Sequence, residues 1–397
     1  MLNSWTFMAF VIVSFVLYWL IIPAGVRSLF LAAVSFFYLF AFYPREALFL
    51  LILAVAVYVA GVIIKQGRPS QRHLTLGTVI FLVTVLGYFK YASFLADTLN
   101  LILEPLAGAN LSISQALVPL GISYFTFKMI HYLVDMRQGK VESHGLGDFL
   151  NYIFFFPILV SGPIERFQPF LAQSRSLRGL DINNLYAGLP RIASGLFKKM
   201  VLADSLAATA ALLQQPDLAA GQYWLASLAY TFQLYFDFSG YSDMAIGISR
   251  LFGYRIMENF NWPYLARNVS DFWKRWHMSL TGWFRDYLFI PLGGSRGPLG
   301  FVIRNTLIVM AVTGLWHGAA WHFVFWGLYH AMGLIVLRLY RKFLLPRLQG
   351  HSGLLDSRPS AALSVMLTFM YVNIGWIFFA CDASQSIYVL THMFTGP

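Results

Sequence analysis

Long apolar runs constrain this chain more than any other feature. Segments at about Ser4–Ile22, Ser28–Phe42, Ala47–Ile64 and Leu74–Leu95 carry almost no charge, and further runs follow near Val118–Val134, Ala187–Leu213, Gly221–Phe252, Val302–Trp316, Trp321–Leu339 and Ala361–Ala380. About 20 apolar residues match the hydrocarbon thickness of a bilayer. In that medium every backbone N–H and C=O must find a partner inside the protein, which leaves helices and closed barrels. The runs are continuous rather than alternating, so they read as helices. The expected class is all-α integral membrane, with about ten or eleven spans, in a single polytopic domain over residues 1–397. Composition agrees: 11% of residues are charged and mean hydropathy is +0.64, whereas a soluble domain has about a quarter charged residues.

The net charge of +11 comes from Lys and Arg scattered through short loops. Such loops suit positive-inside topology and anionic lipid headgroups, not nucleic acid. Lys65–His73, "KQGRPSQRH", is a basic turn of this kind, and Asn100–Gln115, with Pro105 and Gly108, reads as a loop or surface segment. The opening "MLNSWTFMAFVIVSFVLYWLIIP" lacks a positive charge before its apolar core, so it reads as a retained span rather than a cleaved signal. One cysteine, Cys381, excludes an intramolecular disulfide and cysteine-based zinc sites; it reads as a buried structural thiol.

Two regions depart from simple spanning. In Phe149–Phe167, "FLNYIFFFPILVSGPIERF", a short apolar run is interrupted by Pro157, which predicts a broken, re-entrant helix held by protein. In Ser270–Gly294, "SDFWKRWHMSLTGWFRDYLFIPLGG", charges interleave with Trp and Phe, which predicts a helix lying in the membrane interface. No internal repeat is evident, which argues against inverted-repeat transporters.

Polar groups inside apolar spans are costly and mark functional candidates. The densest set is Gln233, Asp237, Ser239, Tyr241, Ser242, Asp243 and Arg250; Lys274, Arg275, Trp276 and His277 follow, then His317, His322 and His330 in "TGLWHGAAWHFVFWGLYHA". Lys90, Lys128, His131, Lys198 and Lys199 are weaker outliers. On a continuous helix His317 and His322 diverge by roughly 140°, His322 and His330 by roughly 80°, and Asp237 and Asp243 by roughly 120°. No H-x-x-x-H pair occurs in the chain, so no metal site is expected. His322 and His330 read as core histidines bonded to neighbouring helices. His317 stands apart, because Gly314, Gly318 and Ala319 beside it leave room for another backbone or a ligand.

A buried neutral imidazole is a competent general base. One histidine, without cysteine or metal, suits acyl transfer from an activated thioester to a hydroxyl. That reaction needs a base, alignment of two substrates and stabilisation of an oxyanion. His277 fits either a substrate-positioning role or hydrogen bonding within an interfacial helix.

Five stretches carry a family resemblance: "YFKY" (Tyr88–Tyr91), "LGISYFTFKMIHYLVD" (Leu120–Asp135), "FFPILVSGPIERF" (Phe155–Phe167), the long block Tyr235–Gly294, and "TGLWHGAAWHFVFWGLYHA". Together they resemble the membrane-bound O-acyltransferases, in particular the bacterial branch that acylates cell-envelope polymers. The resemblance implies a multi-helix barrel with a central funnel in the bacterial cytoplasmic (inner) membrane. It matches the family's catalytic histidine to His317 and its second histidine to His277. Trp316, Gly318, Trp321, Asp237, Tyr241, Asp243, Lys274, Arg275 and Trp276 would line the tunnel. No permanently bound cofactor is implied. The acyl donor would be acetyl-CoA or, alternatively, a phosphopantetheine carrier-protein thioester. The acceptor would be an envelope polysaccharide, reached through a periplasmic or extracellular acyltransferase- or esterase-like partner. Alginate- and peptidoglycan-type acetylation subunits look nearer than the D-alanyl transfer proteins of teichoic-acid modification. A flippase for a lipid-linked glycan is the alternative from another class.

Overall fold

The computed structural model describes residues 4–67, 71–107, 111, 118–177, 179–347 and 357–395. Among these, every regular element is helical. The α-helices are α1 Trp5–Val16, α2 Arg27–Phe42, α3 Pro44–Lys65, α4 Gln71–Ala107, α5 Ile122–Arg137, α6 Leu146–Phe154, α7 Phe167–Ser176 and α8 Ile182–Leu196. They continue with α9 Asp204–Ala210, α10 Ala220–Leu251, α11 Val269–Trp273, α12 Met278–Phe284, α13 Leu299–His317, α14 Trp321–Leu339, α15 Arg358–Ala380 and α16 Ala383–Thr395.

Six helical stretches among the described residues are long and apolar enough to cross a membrane: Ala24–Phe42, Pro44–Lys65, Gln71–Leu106, Leu299–His317, Trp321–Arg347 and Arg358–Ala380. The larger sequence-based number has physical sources. α5 has 16 residues and α6 only 9. The run Ala187–Leu213 is divided among α8, a π-helical segment Phe197–Ala203, α9 and a 3-10 turn. α10 has 32 residues but contains Asp237, Asp243 and Arg250. In the other direction, α4 runs to Ala107, through part of the expected loop Asn100–Gln115, with Pro105 in its last turn. Residues 108–110 and 112–115 of that loop, and 68–70 of the basic turn, lie outside the described residues.

Two compact units emerge: Met1–Ser194 with Ser242–Met257, and Gly195–Tyr241 with Glu258–Pro397. In the first, polar side chains close broken helix ends. The last carbonyls of a helix have no partner within it. After α1 the chain forms a π turn to Ile21, and the buried Arg27 donates Nε to the carbonyls of Tyr18 (3.0 Å) and Ile22 (3.2 Å). Its guanidinium lies 4.6 Å from the Trp19 ring centroid. The break expected at Pro157 is present: α6 stops at Phe154 and Pro157 sits in a 3-10 turn, Phe156–Ile158. From α5, Lys128 Nζ donates to Tyr152 O at 2.7 Å and Ile153 O at 3.4 Å. Glu165, also buried, accepts from the Met257 and Arg166 amides at 2.8 and 3.2 Å. His131 Nε2 lies 3.0 Å from Tyr152 Oη and accepts from Phe167 N at 3.2 Å. Lys128 and His131, conspicuous in the sequence, thus fasten the broken segment. Farther along, Gly188 and Gly247 let α8 and α10 touch: a Cβ on Gly188 would lie 2.8 Å from the Gly247 carbonyl oxygen. Arg191 Nε reaches Asp243 Oδ1 at 2.6 Å beside that contact.

The second unit is organised by α13 and α14. A Cβ on Gly327 would lie 2.9 Å from the Met310 carbonyl carbon, and one on Gly314 the same distance from that of Phe323. Only glycine at these positions permits backbone-on-backbone packing. Asn305 on α13 donates to the carbonyls of Leu292 (3.0 Å) and Gly294 (3.1 Å), pinning the "PLGG" turn, where Gly293 and Gly294 have φ of 103° and 60°. On α15, Asn373 donates to Thr231 Oγ1 at 2.7 Å and accepts from Ser227 Oγ at 3.1 Å, joining α10. Cys381 is buried, with its thiol 3.7 Å from the Leu213 carbonyl.

Ser270–Gly294 is not one interfacial helix. It is broken into α11, α12 and a π turn Arg285–Phe289. Phe272, Trp273, Trp276, His277, Leu280 and Trp283 are all buried, while Lys274 points outward. The aromatic residues serve the core of the unit, and each break lets the chain turn a charge away from it.

Replacing Lys128 by Ala would leave two buried carbonyls at the end of α6 without their donor. An unsatisfied buried polar group costs about 1–3 kcal/mol. Lys128→Ala should therefore lower the thermal unfolding midpoint of the detergent-solubilised protein by several degrees, whereas Lys274→Ala should leave it unchanged.

Candidate active site

α13 ends on His317, and Gly318 leaves the helix with φ −167°. α14 begins at Trp321. The three histidines of the segment therefore occupy different helices, and angles reckoned along one continuous helix do not apply. His317, at the end of α13, is only partly buried. Its ring packs edge-to-face on Trp316 (centroids 4.9 Å apart), Trp326 (5.1 Å) and Phe379 (5.0 Å). The small residues around it admit the neighbouring helix. Gly314 receives the backbone at Phe323, and a Cβ on Gly318 would lie 3.0 Å from Phe323 Cζ.

His277 belongs to the same aromatic group. It is 1% exposed and packs on Phe238 (4.7 Å) and on Trp316 (5.9 Å), the residue that also touches His317. Burial first, and then the neighbouring His317, hold the His277 imidazole well below its ordinary range. It is neutral at physiological pH. Its backbone is left-handed, with φ 43° and ψ 52°, a conformation rare for a residue with a large side chain. Neither ring nitrogen has a hydrogen-bond partner among the described residues.

Other sequence candidates fall elsewhere. His322 directs Nδ1 to the Phe378 carbonyl at 3.0 Å, as a core histidine does. His330 is fully buried but has no such bond among the described residues; Trp273 (5.2 Å), Trp326 (5.1 Å) and Phe272 (6.0 Å) enclose it instead. Trp276 packs within the core, tilted against Trp376 (4.8 Å) and edge-to-face with Phe260 (5.0 Å). Trp321 is 45% exposed and contacts Phe325. Asp237 is paired with Lys199, in the π-helical segment before α9. Asp243 belongs to the first unit with its partner Arg191, and Tyr241 is half-buried on α10. Arg275 is engaged locally, its Nε 2.9 Å from Asp271 Oδ1 at the start of α11. Among the described residues no three His, Cys, Asp or Glu side chains are grouped as a metal site requires.

A cavity of about 630 Å³ opens in this unit between α12, α13 and the end of α14. Its wall is apolar and hydroxyl-bearing, from Trp273, Leu280 and Phe284 to Val309, Met310 and Thr313. Four cations, Arg285, Arg338, Arg341 and Lys342, line it, and no acidic residue does among those described. Thr313 lies one helical turn before His317, on the same face of α13. Trp273, in the wall, packs on Trp326 at 5.7 Å, and Trp326 packs on His317. Two buried rings, Trp273 and Trp326, thus stand between the basic cavity and the imidazole of His317.

A sequence model of the membrane-bound O-acyltransferase family matches residues 36–349. The chain belongs to that family. It is similar to a probable alginate O-acetylase of Pseudomonas aeruginosa, 40% identical over 90% of this chain and 68% of the relative. The peptidoglycan O-acetyltransferase of Helicobacter pylori is 36% identical over 90% of this chain and 72% of its own length. A teichoic acid D-alanyltransferase of Streptococcus thermophilus is 34% identical over 66% of this chain and 68% of its own. The protein is thus a multi-pass membrane O-acyltransferase, and the alternative of a flippase gives way to an enzyme.

Phe238, Trp326 and Phe379 of the site were not singled out in the sequence. Aromatic residues are so common in this chain, at 17%, that only a fold separates those touching an imidazole from those touching lipid. Gly327→Val should force α13 and α14 apart, since overpacking a tight contact costs about 1–3 kcal/mol. The expected result is a lowered unfolding midpoint together with reduced acyl transfer, while Gly300→Val, where a Cβ meets nothing within 4 Å, should be tolerated.

Proposed function

We propose that the protein moves an acetyl group from cytoplasmic acetyl-CoA to hydroxyls of an envelope polysaccharide, with His317 as general base. The observation that carries this is the cavity whose lining includes four cations and Thr313, one helical turn before His317. A phosphorylated pantetheine thioester has the matching form, with anionic phosphates followed by a long, mildly polar arm. Phosphates would sit among Arg285, Arg338, Arg341 and Lys342, with the arm passing Met310 and Thr313 towards His317.

The imidazole takes the proton of the incoming hydroxyl as its oxygen attacks the thioester carbonyl. The C–S bond then breaks, and the departing thiolate recovers that proton from the imidazolium. Ester and free thiol are the products, and no metal or redox partner is needed. His277, neutral and buried, shapes the site through Trp316. The high density of Lys and Arg near Arg338–Lys342 supports a cytoplasmic opening, in the bacterial inner membrane. Transfer on the outer face would pass through a periplasmic or extracellular acyltransferase-like partner to the polymer.

Acetyl is favoured because similarity to the two O-acetylating relatives extends over 90% of the chain. D-alanyl transfer from a carrier-protein thioester is the second reading, supported by the D-alanyltransferase likeness over 66% of the chain. Purified protein in nanodiscs, offered labelled acetyl-CoA or a D-alanyl carrier protein with acceptor and membrane extract, separates the two by which label becomes ester.

Removal of a general base typically costs about 10²–10⁴-fold in rate. His317→Ala should lower acyl transfer by that factor without loss of protein from the membrane; near-normal transfer would refute its role. Arg338→Glu with Arg341→Glu should raise KM for the donor at least tenfold, with kcat changed much less. An unchanged KM would remove the donor from this cavity.

A further inference from the structure

The backbone of His277 is held by a second segment of the chain. Residues 259–261 run beside residues 275–279 and bracket the histidine. On one side the Asn261 amide donates to Arg275 O at 2.9 Å, and on the other the Met278 amide donates to Asn259 O at 2.9 Å. Asn259 makes a further contact: its Oδ1 accepts from Ser279 Oγ at 2.6 Å. Asn259 and Ser279 are both completely buried. Between these ties His277 adopts its left-handed conformation.

Non-glycine residues persist there only where their surroundings over-determine them. Without the Asn259 carboxamide, only the two backbone bonds hold residues 277–279, and the chain could relax to an ordinary helical or extended start for α12. The imidazole would then swing away from Phe238 and Trp316, the two rings it packs between. Phe260, adjacent to Asn259, packs on both Phe238 (5.1 Å) and Trp276 (5.0 Å), so the bracketing segment also places part of that ring wall.

We propose that Asn259 is a positioning residue for acyl transfer: its side chain, through Ser279, locks the left-handed turn that holds His277 against Trp316 beside His317. This rests on the participation of His277 in the site proposed above. A misplacement of about 1 Å at a reacting centre can cost 10²-fold.

The test is a double-mutant cycle on full-length protein in nanodiscs, reading kcat and KM for labelled acetyl transfer. Asn259→Ala should lower kcat by about ten- to a hundredfold and leave KM within about twofold. Glycine adopts the left-handed conformation unaided. In the His277→Gly background, which also lacks the imidazole, Asn259→Ala should therefore cause no further fall in kcat. A purely structural asparagine would reduce both backgrounds equally, and that additive result would overturn the proposal, as would a kcat for Asn259→Ala within about twofold of the parent. Ser279→Ala removes only the hydroxyl donor and should reproduce part of the kcat loss; it carries the test if Asn259→Ala fails to accumulate. If His277→Gly alone transfers acetyl normally, the role of His277 fails, an outcome distinct from failure of the clamp.

Discussion

The contact between α13 and α14 governs most of what the second unit can do. Two glycines, Gly314 and Gly327, replace side chains with backbone at the crossing. The helices approach closely enough for the turn between them to be only Gly318–Ala320. That short turn fixes His317 at a helix end, among rings supplied by both sides. Farther along, Ile303 and Thr306 of α13 and Leu334 and Arg338 of α14 border the cavity together. A bulkier crossing would displace the imidazole and reshape the cavity together.

Buried polar groups in this protein fall into two kinds. Arg27, Lys128, Glu165, Asn305 and Asn373 are satisfied by named backbone or side-chain partners and hold irregular segments in place. His277 and His330 are surrounded by aromatic rings instead. An apolar medium makes an unmet hydrogen bond expensive. The first group is therefore explained by architecture, whereas packing gives the two imidazoles no polar partner among the described residues.

Much of the architecture is legible in the sequence because the apolar runs are long. The run Trp321–Leu339 is α14 residue for residue, and Gly221–Phe252 corresponds to α10 at Ala220–Leu251. The break at Pro157 follows from a missing amide hydrogen and a fixed φ. Legibility fails where burial depends on tertiary packing. Interleaved charge and aromatic residues in Ser270–Gly294 describe an interfacial helix equally well as a broken core segment, and only the partners of Trp276 and Trp273 decide. The small residues beside His317 announce a close approach without saying whether helix or ligand makes it. Asn259 is silent for a related reason: its importance lies in a left-handed residue eighteen positions away, and local sequence does not encode that pairing.

The capping of α6 by Lys128 also makes two helices depend on each other. A helix of nine residues is too short to partition across a bilayer by itself. Its open carbonyls would make early entry still less favourable. The ammonium that closes them belongs to α5, which leaves the ribosome first. Each helix thus cancels the other's polar liability: the ammonium has its acceptors, and the carbonyls their donor, only when both are in place. The smallest unit an apolar medium tolerates here is the pair of helices, not either one alone.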